Sequence, residues 1–439
     1  MFENVLGQSV TGRLIKDIET GILAPSILFS GPPASGKGTA ALELGRVISC
    51  EISGDKRAAW NCPCPACARH RFLIHSDLLC LGRRPFSAEI TASAKAFLRE
   101  SIGVELSSSI RILFIRSIRK LLARFNPVLW EDEPKGKALF PLVSSLEEDL
   151  DELDSAGTEA LPKLIEGMVK TAYKLESDGM SEYIPIGQLR RAAYWGRLAP
   201  SGRGKLLLIE NADRMQEDAR NSLLKLLEEP PGRLYILLAT TRHASLLPTM
   251  LSRLRPYHFN SRDAAVEDEV IKRVFKDKNA ESNSVSDYLD FFLPVSGATL
   301  EALAAFFAAS IAFKASLDFK RQGRTLPPEV VLLGKYCAPK AEEEGLGRPR
   351  DDPGAVIKII LERAEKFEIR SLFSRFLSCL LEQVSLSLRN ETDAPSLLFI
   401  SLWRESVNHC DISQGMYNLR PNQVLEKLFI DLNKGMMEL

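Results

Sequence analysis

Ser26-Ile-Leu-Phe-Ser30-Gly31-Pro-Pro-Ala-Ser-Gly36-Lys37-Gly38-Thr39 is the stretch that decides the fold. The run from Ser26 to Ser30 is short, apolar and closed by glycine and proline, which predicts a buried strand. Thr39 to Ile48 then reads as a helix, with Ala40, Leu42, Leu44 and Val47 among its apolar positions. A strand, a glycine-rich turn and a helix in that order suit a bound phosphate. The glycines let backbone N–H groups turn inward, the helix N-terminus adds its dipole, and a lysine neutralises the outer oxygens. Of the pattern G-x-x-x-x-G-K-[S/T], Gly31, Gly36 and Lys37 are present, and Gly38 stands where a hydroxyl for magnesium is expected. Thr39 offers a hydroxyl one position later. Two readings stay open: a nucleotide or phosphate site, and a loop kept only as a turn.

Two further apolar strands are expected at Lys205–Ile209 and Leu234–Ala239. Between them Asp218 to Leu227 is helical and is stopped by Glu228-Glu-Pro-Pro231, because proline cannot continue the backbone hydrogen bonds. Strands alternating with helices predict an α/β fold with a parallel sheet covered on both faces. The strand at 205–209 should deliver an acidic pair for metal and water, as metal-assisted hydrolysis of a nucleoside triphosphate requires. It delivers Glu210-Asn211, with Asp213 two residues on. Glu210 retains reach to a metal-bound water, but an asparagine is no general base. Productive hydrolysis by this chain alone is not expected.

Of eight cysteines, four fall between Cys50 and Cys67, in the order Cys50-x11-Cys62-x-Cys64-x2-Cys67, with His70 three residues further. Four thiolates, or three and an imidazole, satisfy tetrahedral zinc with no open position, which makes the site structural. The Cys62-Pro-Cys64 spacing is tighter than the usual knuckle, so His70 stands as an alternative ligand to Cys50 or Cys62. The clustering fits a metal site in a reducing compartment and not a disulfide framework.

Lysine plus arginine equals aspartate plus glutamate, at 57 each, so no overall basic field argues for nucleic acid. No uninterrupted apolar run is long enough to span a bilayer, and the first residues lack a basic segment followed by an apolar one, which predicts a cytoplasmic protein. At 439 residues the chain predicts several domains. The segment 83–182 interrupts the α/β pattern. Its helix from Ile110 to Phe125 is expected to carry Arg116, Arg119, Lys120 and Arg124 on its wetter side, and Leu146–Asp154 is strongly acidic. An inserted helical subdomain and an arm for a partner or DNA are both compatible with that pattern. From about Ser261 the chain is helical to its end, broken at Arg324-Thr-Leu-Pro-Pro328 and by an exposed loop at Gly345–Gly354.

Taken in order, several pieces resemble the bacterial DNA polymerase III clamp loaders, within the AAA+ ATPases. They are Val5-Leu-Gly-Gln8, Leu28–Pro33, the cysteine cluster leading into His75-Ser-Asp77, and Lys205–Asp213. Asn221–Pro231, Leu238-Ala-Thr-Thr241 and Ser252-Arg253 continue the match, with Asn418–Glu426 a weaker echo. The resemblance implies an AAA+ domain over 1–260, a zinc module at about 50–70, a helical insertion at about 83–182, a helical lid over 261–322 and an all-α collar over 323–439. It adds Thr240 to Gly31, Gly36, Lys37, Gly38, Thr39 and Glu210 as residues facing nucleotide, and Cys50, Cys62, Cys64 and Cys67 as zinc ligands. Within the family, a motor subunit (gamma/tau) hydrolyses ATP, whereas the delta-prime subunit is a stator that lends an arginine to its neighbour. Gly38, Asn211 and Leu300, the last standing where motor subunits carry a sensing arginine, favour the delta-prime type. Arg253 then matches the family's arginine finger, acting in trans. The implied role is DNA replication within the polymerase III holoenzyme, with little or no ATPase of its own. The implied partners are gamma/tau-like and delta-like subunits through the collar, and the sliding clamp and primed DNA through the complex. A gamma/tau-like motor is the alternative. A nucleotide kinase, suggested only by the Gly-Lys-Gly-Thr run, lacks support elsewhere in the chain.

Overall fold

The computed structural model describes the chain except for residues 55, 56, 102–107, 154, 158, 182, 279, 281, 283, 294, 366–369, 390, 392, 418 and 439. Asp154 at the end of the acidic run, Glu182 at the expected end of the insertion and Asn418 lie outside the described residues. Five parallel strands form the central sheet: β1 Ser26–Ser30, β2 Leu78–Leu81, β3 Lys205–Glu210, β4 Leu234–Thr240 and β5 Arg255–His258. Their spatial order is β2-β3-β4-β1-β5. The three strands expected from apolar runs are all present, and β2 and β5 are the two edges that the sequence reading lacked.

Period-two alternation sends each strand's side chains to two separate cores. Leu28, Leu79, Leu81, Leu207, Ile209, Ile236 and Leu238 face one, and Ile27, Phe29, Leu78, Cys80, Leu206, Leu208 and Leu237 face the other. Both faces are buried, which is why β1, β3 and β4 read as continuous apolar runs. The second face is covered by α1 (Val10–Glu19), α2 (Lys37–Ser49) and the cysteine module with α3 (Pro65–Arg71).

The first face carries the insertion. Its described helices include α4 (Ser87–Ser101) and α5 (Ser108–Leu122), followed by longer helices at Pro134–Glu152 and Leu161–Gly179. Phe86, Phe97, Phe114, Phe125, Leu146, Ile165 and Leu175 belong to the same core as Leu207 and Ile209, so the insertion is continuous with the sheet's packing. The basic residues of α5 and of the short turn Ala123–Phe125 that follows it correct the expectation of a wet face. Arg116 and Arg124 are buried, and Arg119 and Lys120 nearly so. For Arg116 and Arg119 the cause is the adjacent end of α3, whose last carbonyls have no partner within the helix, whereas Lys120 and Arg124 are drawn in by Glu89 and Glu210. Arg116 donates to Arg71 O at 2.7 Å and His70 O at 3.3 Å, and Arg119 donates to Phe72 O at 3.4 Å.

Contacts divide the described residues into two compact units, Met1–Phe292 and Leu293–Leu439. Helices Ala264–Val274 and Val285–Asp290 of the expected lid stretch lie in the first unit, and helix Gly297–Arg321 lies in the second. That last helix is long and apolar enough to cross a membrane by composition alone, yet 72% of the apolar window is buried inside the protein. It is the core helix of the second unit, where Phe307 meets Phe376 and Phe429 edge-on with ring centroids 5.9 and 5.7 Å apart. Leu300 on this helix is fully buried there. A helix surrounded by other helices needs no polar face.

Phe114 is fully buried with its ring centroid 5.6 Å from that of Phe97. Phe114→Ala is expected to cost about 3–5 kcal/mol in urea unfolding of the full chain. A loss within the range of surface substitutions, below about 0.5 kcal/mol, would show that the insertion does not share the sheet's core.

Candidate functional site at the carboxyl ends of the strands

Ligands of open α/β sheets bind beyond the carboxyl ends of the strands, and the candidate residues converge there. The register pairs Ser30 with Thr240 on one side and with His258 on the other, and Glu210 with Ala239. Gly31 leaves β1 at φ 147°, and a Cβ there would lie 2.2 Å from Phe259 O, so only glycine fits. Gly36 precedes α2, and Lys37, Gly38 and Thr39 open its first turn.

The Lys37 ammonium is buried at the loop. It donates to Gly31 O at 2.7 Å, Pro32 O at 2.5 Å and Ser35 Oγ at 3.1 Å. Burial brings its pKa down to about 8, against the pull of Glu210, with Arg262 adding to the fall. Arg262 is a residue that sequence reasoning missed. It donates to Ala34 O at 2.6 Å and Leu6 O at 2.9 Å, bracing the loop from outside. No motif marks it. Gln8 ties the N-terminal segment to the end of β5, donating to Asn260 O at 2.8 Å and accepting from Asn260 N at 3.1 Å.

At the tip of β3, Glu210 is only 8% exposed. Its carboxylate is ion-paired with Arg124, and Arg84 Nε lies 3.7 Å away. Asn211 sits in the left-handed region at φ 51°, a conformation asparagine tolerates better than most residues. Its Nδ2 donates to the Arg83 carbonyl. Thr240 is buried and donates to Asp213 Oδ1 at 2.5 Å while accepting from Arg242 N at 2.9 Å. Glu210 and Thr240 therefore both face the phosphate loop's end of the sheet, with polar partners already in place. Arg253 lies apart from these groups. Its guanidinium is exposed, donating to Glu228 at 2.6 Å and to Thr249 O at 2.6 Å.

The cysteine cluster forms behind α2. The sulfurs of Cys50, Cys62, Cys64 and Cys67 all lie within 4.8 Å of one another, and those of Cys50 and Cys62 are 3.8 Å apart. A zinc–thiolate tetrahedron with bonds of about 2.3 Å has edges of about 3.8 Å, so the four cysteines could hold a metal ion of that kind. Burial opposes the Cys64 thiolate, but backbone N–H groups at Glu51 and Cys67 and the neighbouring thiols outweigh it and bring its pKa to about 7. His70, the alternative ligand, turns elsewhere. It bonds Ser49 Oγ at 2.9 Å and stacks on His75 with ring centroids 4.2 Å apart. All four cysteines and no histidine make up the cluster among the described residues.

Arg46, on α2, fastens this module. It donates to the carbonyls of Ala58 at 2.8 Å and Ala59 at 2.7 Å, and its ion pair with Glu43 is buried on both sides.

The Gly31–Thr39 loop, an acid at the end of β3 and a threonine at the end of β4 thus meet at the carboxyl edge of one parallel sheet. A family model described as "DNA polymerase III, delta subunit" matches residues 172–263. The DNA polymerase III subunit delta' of Pseudomonas aeruginosa is 33% identical over 111 residues, 25% of this chain and 34% of that protein. The subunit tau of Escherichia coli is 42% identical over 62 residues, 14% of this chain and 10% of that protein. A crystal structure of a DNA polymerase III gamma-subunit-related protein from Thermotoga maritima aligns at 18% identity and a TM-score of 0.25, over 63% of this chain and 91% of that one. The chain thus spans about a third or less of the length of these two curated relatives. The family match and the relatives support a clamp-loader subunit of the delta-prime, gamma and tau type.

Removing Arg46 would leave buried Glu43 with only Arg116, 3.8 Å away, and breaking a buried pair typically costs about 3–5 kcal/mol. Arg46→Ala is therefore expected to lower the unfolding midpoint sharply in thermal melts at saturating zinc. An unchanged midpoint would mean that the module is held by other contacts.

Proposed function

We propose that this chain is a delta-prime-like stator of the polymerase III clamp loader, lending Arg253 to the nucleotide of a neighbouring subunit. One contrast carries the reading. The chain's own acid position is occupied by a paired Glu210 and a tethered Asn211, whereas Arg253 stands exposed in an ion pair with Glu228. Exposed pairs of this kind contribute about 0–1 kcal/mol, so a phosphate oxygen on a neighbour can displace Glu228 at little cost. The guanidinium's planar fork then suits two phosphate oxygens.

In this role the helical segment 323–439 serves as collar, holding gamma/tau-like and delta-like subunits in a ring, with 261–322 as the lid. ATP on the neighbour opens the sliding clamp, and Arg253 promotes hydrolysis once primed DNA is engaged. Replication of DNA sets the compartment as cytoplasmic. The phosphate loop, with Gly31, Gly36, Lys37, Gly38 and Thr39, keeps a place for nucleotide or phosphate without turning it over. The gamma/tau-like motor reading draws on the same glycines and Lys37, but it asks Glu210 to serve a metal while two guanidiniums already engage it. We assign the cluster of Cys50, Cys62, Cys64 and Cys67 to structural zinc, which fixes the fold around α3 and supplies no reaction chemistry.

The test is Arg253→Ala in a ring reconstituted with gamma/tau-like and delta-like subunits, clamp and primed DNA. Fingers of this type are worth about 10³–10⁵ in rate. DNA-stimulated hydrolysis at the adjoining site is expected to vanish while the variant's own melting point stays near wild type. Unchanged turnover in the ring would contradict the role. For the metal, purified chain is expected to contain about one zinc per molecule, as a closed four-thiolate site requires. Cys64→Ser is expected to lose that zinc and to melt earlier, and zinc-free wild type of unaltered stability would refute the assignment.

A further inference from the structure

A hydrolytic phosphate loop holds its nucleotide with magnesium, and magnesium takes hydroxyl and carboxylate oxygens in a near-octahedral shell. The residues here do not fit that ion. Gly38 supplies no hydroxyl, and its place is closed: a Cβ at position 38 would lie 2.8 Å from Glu210 Oε1. The other carboxylate oxygen is held by Arg124, with Arg84 Nε 3.7 Å away. Asn211 carries no charge, and its amide is spent on the Arg83 carbonyl.

The two arginines are built in firmly. Arg124 is 5% exposed, donates through Nε to Gly82 O at 3.0 Å, and lies over the Phe86 ring with its guanidinium carbon 5.3 Å from the centroid. The carbonyl of Arg124 in turn accepts from Trp130 Nε1 at 2.8 Å. Arg84 stacks on the same ring at 4.9 Å and donates to Glu89 at 2.6 Å. Lys120 takes the other oxygen of Glu89, which these two cations hold well below the usual carboxylate range against the effect of burial. Arg84, Lys120 and Arg124 thus engage Glu89 and Glu210 behind the loop, with buried Glu176 also near Arg84, and a guanidinium does not give up its proton. A dication brought to this place would meet fixed positive charge in a poorly screened setting.

Arg84, Lys120 and Arg124 all come from the insertion. We propose that the insertion has turned the phosphate loop into a metal-independent anion site: Arg84 and Arg124 claim the carboxylate that would hold magnesium. The loop then takes a nucleoside di- or triphosphate without a divalent cation. This rests on the reading of Gly31–Thr39 as a phosphate site. It goes beyond the stator role, because it gives the degenerate site a ligand preference and the insertion a task.

The experiment is calorimetric titration of ATP into the zinc-replete full chain, with magnesium present and in magnesium-free buffer containing no chelator. The affinity is expected to agree within about twofold between the two conditions. Magnesium tightening ATP binding by about tenfold or more, most plainly if Thr39→Val abolished the gain, would overturn the proposal and leave the phosphate-site reading standing. Absence of ATP binding in both conditions would overturn both. In Arg124→Met, which frees Glu210, magnesium dependence is expected to appear. Where Arg124→Met fails to fold, Arg124→Gln, which keeps a donor for Gly82 O but no charge for Glu210, provides the same readout. A folded variant of either kind that stayed indifferent to magnesium would remove the arginines from the account.

Discussion

The ion pair between Glu210 and Arg124 joins the two halves of the first unit at one point. Glu210 ends β3 at the carboxyl edge of the sheet, and Arg124 lies in the turn Ala123–Phe125 just after the basic helix of the insertion. A buried carboxylate without a partner is costly, and so is a buried guanidinium, so each group requires the other's element to be in place. The surrounding arrangement follows. Gly82 O accepts from Arg124, Phe86 lies under both arginines, and the Arg83 carbonyl fixes Asn211. The region where a hydrolytic domain keeps mobile water and metal is here a closed electrostatic network.

The opposite face of the sheet is organised by a different requirement. The module from Cys50 to Arg71 is short of apolar residues, and its polypeptide is held by sulfur and by cations. Arg46 reaches from α2 to two of its carbonyls, Arg71 to the carbonyls of Trp60 at 2.8 Å and Cys62 at 2.7 Å, and Arg116 to the end of α3. The same α2 begins at Lys37. Cys50 follows the far end of α2, so an ion held by the four cysteines would brace the helix that opens at the Gly31–Thr39 loop.

Much of this was legible in the sequence, for identifiable reasons. β1, β3 and β4 are apolar on both faces and bounded by glycine, proline or charge, so they stand out. β2 is an apolar run of only four residues, at the short limit of a strand signal, and β5 is an edge strand carrying Pro256 with mostly exposed side chains, which gives no apolar run. The cysteine cluster was evident from spacing, whereas excluding His70 required seeing it turned towards Ser49 and His75. Arg116, Arg119, Lys120 and Arg124 read as a solvated stripe because sequence pattern cannot distinguish water from an interior lined by helix-end carbonyls and carboxylates. Arg84 and Arg262 carry no motif, and the groups that tie them to the site, Glu210 for one and the carbonyls of Leu6 and Ala34 for the other, are distant in the chain. The changes at Gly38 and Asn211 were plain. What held Glu210 in their company was not.

The central claim is that this chain's own loop does not support catalysis. Steady-state ATP hydrolysis by the purified chain with magnesium and primed DNA, measured beside Lys37→Ala, tests it most directly. The account predicts no turnover above that of the variant. Clear turnover lost with Lys37 would contradict it, showing that Glu210 leaves Arg124 to serve a metal and that the chain works as a motor.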